Sequence, residues 1–141
     1  MKENVFIMKN ERDTEKFGIK LGQEVKTGTV IALSGELGTG KTTLTKAIAK
    51  GLSIEETITS PTFNIVKEYD GGRLPLYHFD VYRIGDVEEM YELGYEEYFY
   101  GEGVCVIEWA SIIEEIIPDN GMRIDIQYGR EEGERVYKCI F

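Results

Sequence analysis

Residues 35–42 read Gly35-Glu36-Leu37-Gly38-Thr39-Gly40-Lys41-Thr42, a complete G-x-x-x-x-G-K-[ST] pattern. Its neighbours give it structural context. Residues 29–34, TVIALS, form a continuous apolar run of the kind that becomes a strand buried on both faces of a parallel sheet. Residues 42–52 follow with Leu44, Ala47, Ile48 and Leu52 at helical spacing, a core-facing stripe. Strand, glycine turn and helix in this order dictate an α/β fold. Glycines let the backbone wrap with its N–H groups pointing inward, a nest for phosphate oxygens, and the helix that follows adds the positive end of its dipole. In that arrangement Lys41 reaches the β- and γ-phosphates, and the Thr42 hydroxyl is a ligand for Mg²⁺. Gly35, Glu36, Leu37, Gly38, Thr39, Gly40, Lys41 and Thr42 are thus the candidate ATP/ADP-binding residues. Thr43 is either a contact for the α-phosphate or an ordinary first-turn residue.

Such a loop needs a carboxylate for the metal, usually at the end of a neighbouring apolar strand. Gly103-Val104-Cys105-Val106-Ile107-Glu108 supplies one: the residues before the acid are apolar, and the carboxyl end of a strand faces the ligand crevice in open α/β sheets. Glu108 is the first candidate for holding Mg²⁺, with Thr42 as the other metal ligand. Trp109, the only tryptophan, is core, a cover over the nucleotide or a partner contact. A second acid, Asp80, ends Leu76-Tyr77-His78-Phe79-Asp80 and is placed to orient an attacking water or to hold Mg²⁺ through water. His78, alone of its kind in the chain, reads more readily as structural than catalytic. Arg83 faces either a phosphate, a partner's acid or one of its own acidic neighbours. Thr59-Ser60-Pro61-Thr62 precedes a strand, and a threonine hydroxyl in it is either a sensor of the γ-phosphate or, the more ordinary reading, part of a plain loop.

The rest of the chain predicts a mixed sheet. Strands are expected at residues 5–8, 62–69, Leu76–Asp80, 104–107, 122–128 and 135–141. The turns Asp70-Gly71-Gly72 and residues 129–133 join two antiparallel hairpins. A helix beginning at Asp13 or Thr14 carries Phe17, Leu21 and Val25 on one face. Another opens at Asp86 and ends at Gly94, and a third spans residues 111–117 before Pro118. No repeat, linker or low-complexity tract interrupts these elements, so residues 1–141 are expected to form a single ATPase domain. The expected architecture is an α/β three-layer sandwich of the P-loop NTPase kind, with a mixed parallel/antiparallel sheet.

Composition narrows the function. The 141 residues carry 16 Lys and Arg against 26 Asp and Glu, a net charge of −10. Such a body repels a polyanion such as RNA, so direct, unaided nucleic-acid binding is disfavoured, while docking onto a basic partner is not. The apolar run at residues 5–8 is too short for a signal-peptide core, and no run approaches the ~20 residues of a membrane span; a cytoplasmic protein is expected. The two cysteines, Cys105 and Cys139, and the one histidine form no zinc-binding spacing, and both cysteines sit in strand-like apolar stretches as reduced core residues.

Taken together, GELGTGKTT, SPTFNIV, YHFDVYRIGDVEEMYELGYEEYF and VCVIEW, in that order, closely resemble the TsaE (YjeE) family of bacterial P-loop ATPases required for making threonylcarbamoyladenosine in tRNA. The likeness runs from about Phe17 to Trp109 and more loosely to the C-terminal hairpin. The resemblance implies a Mg²⁺-dependent ATPase, weak alone, that acts with the partner proteins TsaD and TsaB. It implies phosphate binding at residues 35–43, metal ligands at Thr42 and Glu108, a switch-like threonine at Thr62, an essential aspartate at Asp80 and a tryptophan beside the site at Trp109. Lys41, Asp80, Glu108 and Thr62 are then the catalytic set. Arg130, in the pair Gly129-Arg130, and Thr14 are implied near the nucleotide and its adenine. Glu36 and Thr39 stand where the family often has Asp and Ala. Two rival readings share the loop: a small-molecule or nucleoside kinase, which needs a lid of arginines that the six scattered arginines do not resemble, and a nucleotide-dependent binding module that does not hydrolyse.

Overall fold

The computed structural model describes residues 2–61 and 64–141. Seven strands form one sheet: β1 (Glu3–Met8), β2 (Val30–Gly35), β3 (Val66–Tyr69), β4 (Leu76–Asp80), β5 (Val104–Glu108), β6 (Met122–Tyr128) and β7 (Arg135–Ile140). Their order across the sheet is β1-β7-β6-β2-β5-β4-β3. The central strands β6, β2, β5 and β4 run parallel, and antiparallel pairs flank them on both sides. Helices α1 (Glu11–Glu24) and α2 (Lys41–Gly51) cover one face. Helices α3 (Glu88–Leu93) and α4 (Tyr95–Phe99), with a 3₁₀ segment (Ala110–Ile116), cover the other. Three layers with a mixed sheet are the architecture the sequence implies. Among the described residues no helix is long and apolar enough to cross a membrane.

The apolar patterns account for the layers. Val30, Ile31, Ala32 and Leu33 of β2 are buried, and so is every residue of β5, because both strands lie in the middle of the sheet with helices on each side. Alternation divides them between the faces: Ile31 and Leu33 pack under α1 and α2, whereas Val30 and Ala32 pack under the short helices. The stripe Leu44, Ala47, Ile48 and Leu52 is buried as its spacing predicts. Helices α1 and α2 touch backbone to backbone. A Cβ added at Gly22 would lie 2.2 Å from the Ile48 carbonyl oxygen, and one at Gly51 2.2 Å from that of Ile19.

Four local expectations are revised. Helix α1 starts at Glu11 rather than at Asp13 or Thr14, because the Asn10 side chain caps it by accepting from the Asp13 amide at 3.0 Å. The strand expected at residues 62–69 is confined, among the described residues, to β3, since Ile65 takes a left-handed φ of 64° that no extended run can contain. Gly94, at φ 76°, ends α3 as expected, but it also opens α4, whose Tyr95 and Phe99 pack edge to face at 5.0 Å. The helix expected at residues 111–117 is instead two short 3₁₀ turns over Ala110–Ile116 that meet at a kink at Ile113 (φ −118°, ψ 31°), with Ala110, Ile113 and Ile116 buried.

Candidate functional site

The parallel strands β2, β5 and β4 end side by side, in register through Leu33↔Glu108 and Asp80↔Glu108. Their carboxyl ends therefore bring the glycine loop, Glu108 and Asp80 to one edge of the sheet. Between β2 and α2 the loop turns through Gly35 at φ 146°, Gly38 at φ 82° and Gly40 at φ 103°. At Gly35 a side chain is excluded on a second ground, because its Cβ would lie 2.5 Å from the Ile126 carbonyl oxygen. Among the described residues, the backbone amides of Gly40, Lys41, Thr42 and Thr43 have no protein acceptor. They form a set of free donors at the start of α2.

Lys41 is 5% exposed. Its Nζ donates to the carbonyl oxygens of Gly35 at 2.7 Å and Glu36 at 2.9 Å and lies 4.0 Å from the centre of the Trp109 ring. Burial pushes its pKa below the ordinary lysine value, against the pull of the Glu108 and Asp80 carboxylates. Trp109 holds this position with a left-handed φ of 63°, a conformation unfavourable for a bulky side chain, and packs on Tyr82 at 4.8 Å.

Beneath the loop, the Thr42 hydroxyl donates to Glu108 Oε1 at 2.9 Å. The opposite oxygen, Oε2, meets the Thr45 hydroxyl at 3.4 Å and His78 Nε2. Glu108 is 3% exposed, so its two oxygens are held almost out of water. Asp80, on the adjacent strand end, accepts from the Tyr82 amide at 3.1 Å. Burial raises its carboxyl above the ordinary value, the Tyr82 hydrogen bond pulls it down, and the neighbouring Glu108 pushes it up again.

The C-terminal hairpin braces the loop from outside. Arg135 donates from Nε to the Thr39 carbonyl at 3.0 Å and from Nη2 to that of Gly38 at 3.4 Å, and its guanidinium stacks on Tyr128 at 4.8 Å. The Tyr128 hydroxyl donates to the Leu37 carbonyl at 2.9 Å. These contacts fix the carbonyls of Leu37, Gly38 and Thr39 on the hairpin side of the loop. Beside this brace lies a cavity of about 300 Å³ lined by Asn10, Thr14, Gly40, Thr43, Gly133 and Tyr137, among others.

Most of the candidates from the sequence therefore converge. Gly35, Glu36, Gly38, Thr39, Gly40, Lys41, Thr42, Thr43, Asp80, Glu108 and Trp109 share the loop and the strand ends, and Thr14 reaches the adjoining cavity, where its hydroxyl meets that of Tyr137 at 3.2 Å. Leu37 belongs to the loop, but its side chain is 79% exposed. Arg130 stands on the exposed hairpin turn, where its amide donates to Glu134. Arg135, not singled out in the sequence, is the arginine that touches the loop. Thr62 lies outside the described residues. Thr45 was also missed, although a threonine at i+3 from Thr42 interrupting an apolar stripe was a readable signal. Of the remaining arginines, Arg73 donates to the carbonyls of Gly22 and Val25, and Arg123 pairs with Glu114, so neither belongs to a lid.

A family model described as threonylcarbamoyl adenosine biosynthesis protein TsaE matches residues 8–137. The chain belongs to the TsaE family. The tRNA threonylcarbamoyladenosine biosynthesis protein TsaE of Bacillus subtilis is 46% identical over 132 residues, covering 93% of this chain and 82% of the relative. That of Treponema pallidum is 40% identical over 121 residues, covering 86% and 89%. The crystal structure of Bacillus subtilis YdiB superposes with a TM-score of 0.81 at 40% identity, covering 98% of this chain and 84% of that one. The TsaE family is named for tRNA threonylcarbamoyladenosine biosynthesis, and the agreement with YdiB extends over both the parallel core and the flanking hairpins.

Proposed function

We propose that this chain binds ATP with Mg²⁺ and hydrolyses it, in the cytoplasm, as the ATPase partner of a TsaD–TsaB complex that installs threonylcarbamoyladenosine in tRNA. The observation that carries the reading is the pairing of the Thr42 hydroxyl with the Glu108 carboxylate at the start of α2, where Lys41 is buried and, among the described residues, the amides of Gly40 to Thr43 have no protein acceptor. A hydroxyl and a carboxylate are hard oxygen donors suited to Mg²⁺, which ordinarily takes one or two protein ligands and completes its shell with phosphate and water. The residues present therefore fit the cation, with Thr42 and Glu108 as its protein ligands. When bound, it would neutralise charge on the β- and γ-phosphates.

The chain's own groups divide the remaining work. The amides at the start of α2 and the Lys41 ammonium bind the phosphate oxygens, so Lys41 exchanges its carbonyl partners for a triphosphate. With Glu108 given to the cation, Asp80 on the adjacent strand end is the carboxylate that would orient the attacking water. Its raised pKa favours that role, because a carboxylate with higher proton affinity is a better general base. Trp109 shields Lys41 from solvent, and the cavity of about 300 Å³ beside Thr14 and Thr43 would take the base. P-loop NTPases that lack an arginine finger hydrolyse slowly; with none obvious in the sequence near the loop, intrinsic hydrolysis is expected to be slow and the partner complex to accelerate or exploit it.

Calorimetry with ATP and Mg²⁺, run on the wild type and on Lys41→Ala, tests the binding step: heat with the first and none with the second is expected. Pull-down with TsaD and TsaB, with and without ATP, tests the partnership. Labelled phosphate appearing on an added nucleoside instead of in solution would make the protein a kinase. Modification that survives Asp80→Asn, with hydrolysis abolished and nucleotide still bound, would leave only a nucleotide-dependent switch.

A further inference from the structure

We infer that His78 is the positioning residue that would keep Glu108 aimed at the metal when Thr42 and Glu108 ligate one cation and give up the hydrogen bond between them. The inference rests on the Mg²⁺-nucleotide reading of the site and adds a residue to it. Alternation along β4 puts Leu76, His78 and Asp80 on the face covered by α2 and sends Phe79 to the opposite core. The pairing of β4 with β5 sets His78 beside Val106, one pleat before Glu108. A fully buried imidazole thus meets a carboxylate that is 3% exposed, and two backbone ladders hold both in place.

The three contacts on that carboxylate are not equivalent. Thr42 occupies Oε1 at 2.9 Å, the oxygen nearest the loop, and gives up this hydrogen bond if both groups ligate one cation. Two contacts then remain, both on Oε2. Thr45 stands off at 3.4 Å and has already committed its hydroxyl to the Lys41 carbonyl at 2.9 Å. The short contact from His78 Nε2 is the one that survives to fix the rotation of the carboxylate. Among the described residues Nδ1 has no partner, so the tautomer with the proton on Nε2 satisfies the pair: the nitrogen that faces an acceptor carries the hydrogen. Groups behind a metal ligand orient it in this manner, and their loss weakens metal affinity about ten- to a hundredfold.

Two substitutions separate positioning from mere packing. His78→Gln keeps an N–H donor at the reach of Nε2, whereas His78→Leu fills space without one. ADP affinity is measured by calorimetry in EDTA and across a Mg²⁺ series, with folding checked by circular dichroism. For His78→Leu we expect affinity in EDTA within about twofold of wild type. The Mg²⁺ concentration that gives half of the metal-dependent change should rise about ten- to a hundredfold. His78→Gln should restore most of that loss. Should His78→Leu fail to fold, His78→Asn, whose amide is too short to reach Oε2, is expected to show the same raised Mg²⁺ requirement. An unchanged Mg²⁺ requirement in folded His78→Leu or His78→Asn, or a His78→Gln as impaired as either, overturns the role of His78 and leaves the nucleotide site intact. A wild type that binds ADP without regard to Mg²⁺, or not at all, overturns the reading of the site itself.

Discussion

At the residue scale, the two cysteines illustrate how burial decides chemistry. Cys105 and Cys139 are both free and buried, and desolvation pushes each thiol up to about 12 from an ordinary 9.0. The folded state keeps these protons while the unfolded chain begins to lose them near pH 9. Stability attributable to the thiols is therefore present below that pH and is lost as pH rises from 9 towards 12. At pH 8 the thiolate fraction in the fold is roughly a thousandfold below that of an exposed cysteine, so iodoacetamide should label both residues only after denaturation. Mass spectrometry of protein treated with and without urea checks this, and rapid labelling of the native protein would contradict it. Asp80 is a second case. Its carboxyl is raised in the fold, so the folded state binds the proton more tightly than the unfolded chain. Ionisation then takes stability away as pH climbs above the ordinary carboxylate range. We expect ligand-free Asp80→Asn to melt higher than wild type at pH 7, with the gap closing near pH 4, while hydrolysis is lost. Equal melting temperatures at both pH values would show that Asp80 carries no such penalty.

At the scale of elements, the close approach of α1 and α2 is decided by glycine rather than by a hydrophobic stripe. Gly22→Ala would gain about 1 kcal/mol of helix propensity in isolation. Here the new methyl meets the Ile48 carbonyl at 2.2 Å, so the helices must separate, and we expect a net loss of about 1–3 kcal/mol in urea denaturation. The β6–β7 hairpin is the second element with a specific duty. Arg135→Ala removes two hydrogen bonds to the loop carbonyls and the stacking on Tyr128, so the loop should lose preorganisation more than the fold loses stability. A fall in nucleotide affinity of about tenfold, roughly one charge-assisted hydrogen bond, is expected in calorimetry with a nearly unchanged melting temperature. Apart from the bounds of β3, the strands, α2 and both hairpins were legible in the sequence because each rests on a local pattern: an unbroken apolar run in β2 and β5, alternation in the C-terminal hairpin, turn residues between strands and helical spacing in α2. The broken helix at Gly94 and the 3₁₀ segment at Ala110–Ile116 were not, since their windows are too short for periodicity to distinguish one helix type from another.

At the scale of the whole molecule, charge sets the company the protein keeps. A net −10 over 141 residues gives a repulsive field towards RNA, and free tRNA should not be retained by the isolated protein in filter binding at about 0.15 M salt, where screening extends over ~8 Å. Retention that persists at this salt would expose a basic patch strong enough to overcome the net charge.

The amino-acid sequence alone determined the loop and the two metal-ligand candidates, because a glycine-rich turn between a buried strand and a helix is a local device and an acid at the end of an apolar run lies at a strand's carboxyl end. It also carried the resemblance to the TsaE family. Only the tertiary structure decided which side chains meet across distance: His78 and Thr45 on Glu108, Arg135 and Tyr128 on the loop, Trp109 over Lys41. These contacts join residues far apart in the chain, and the register between strands that creates them is a property of the assembled sheet rather than of any one segment.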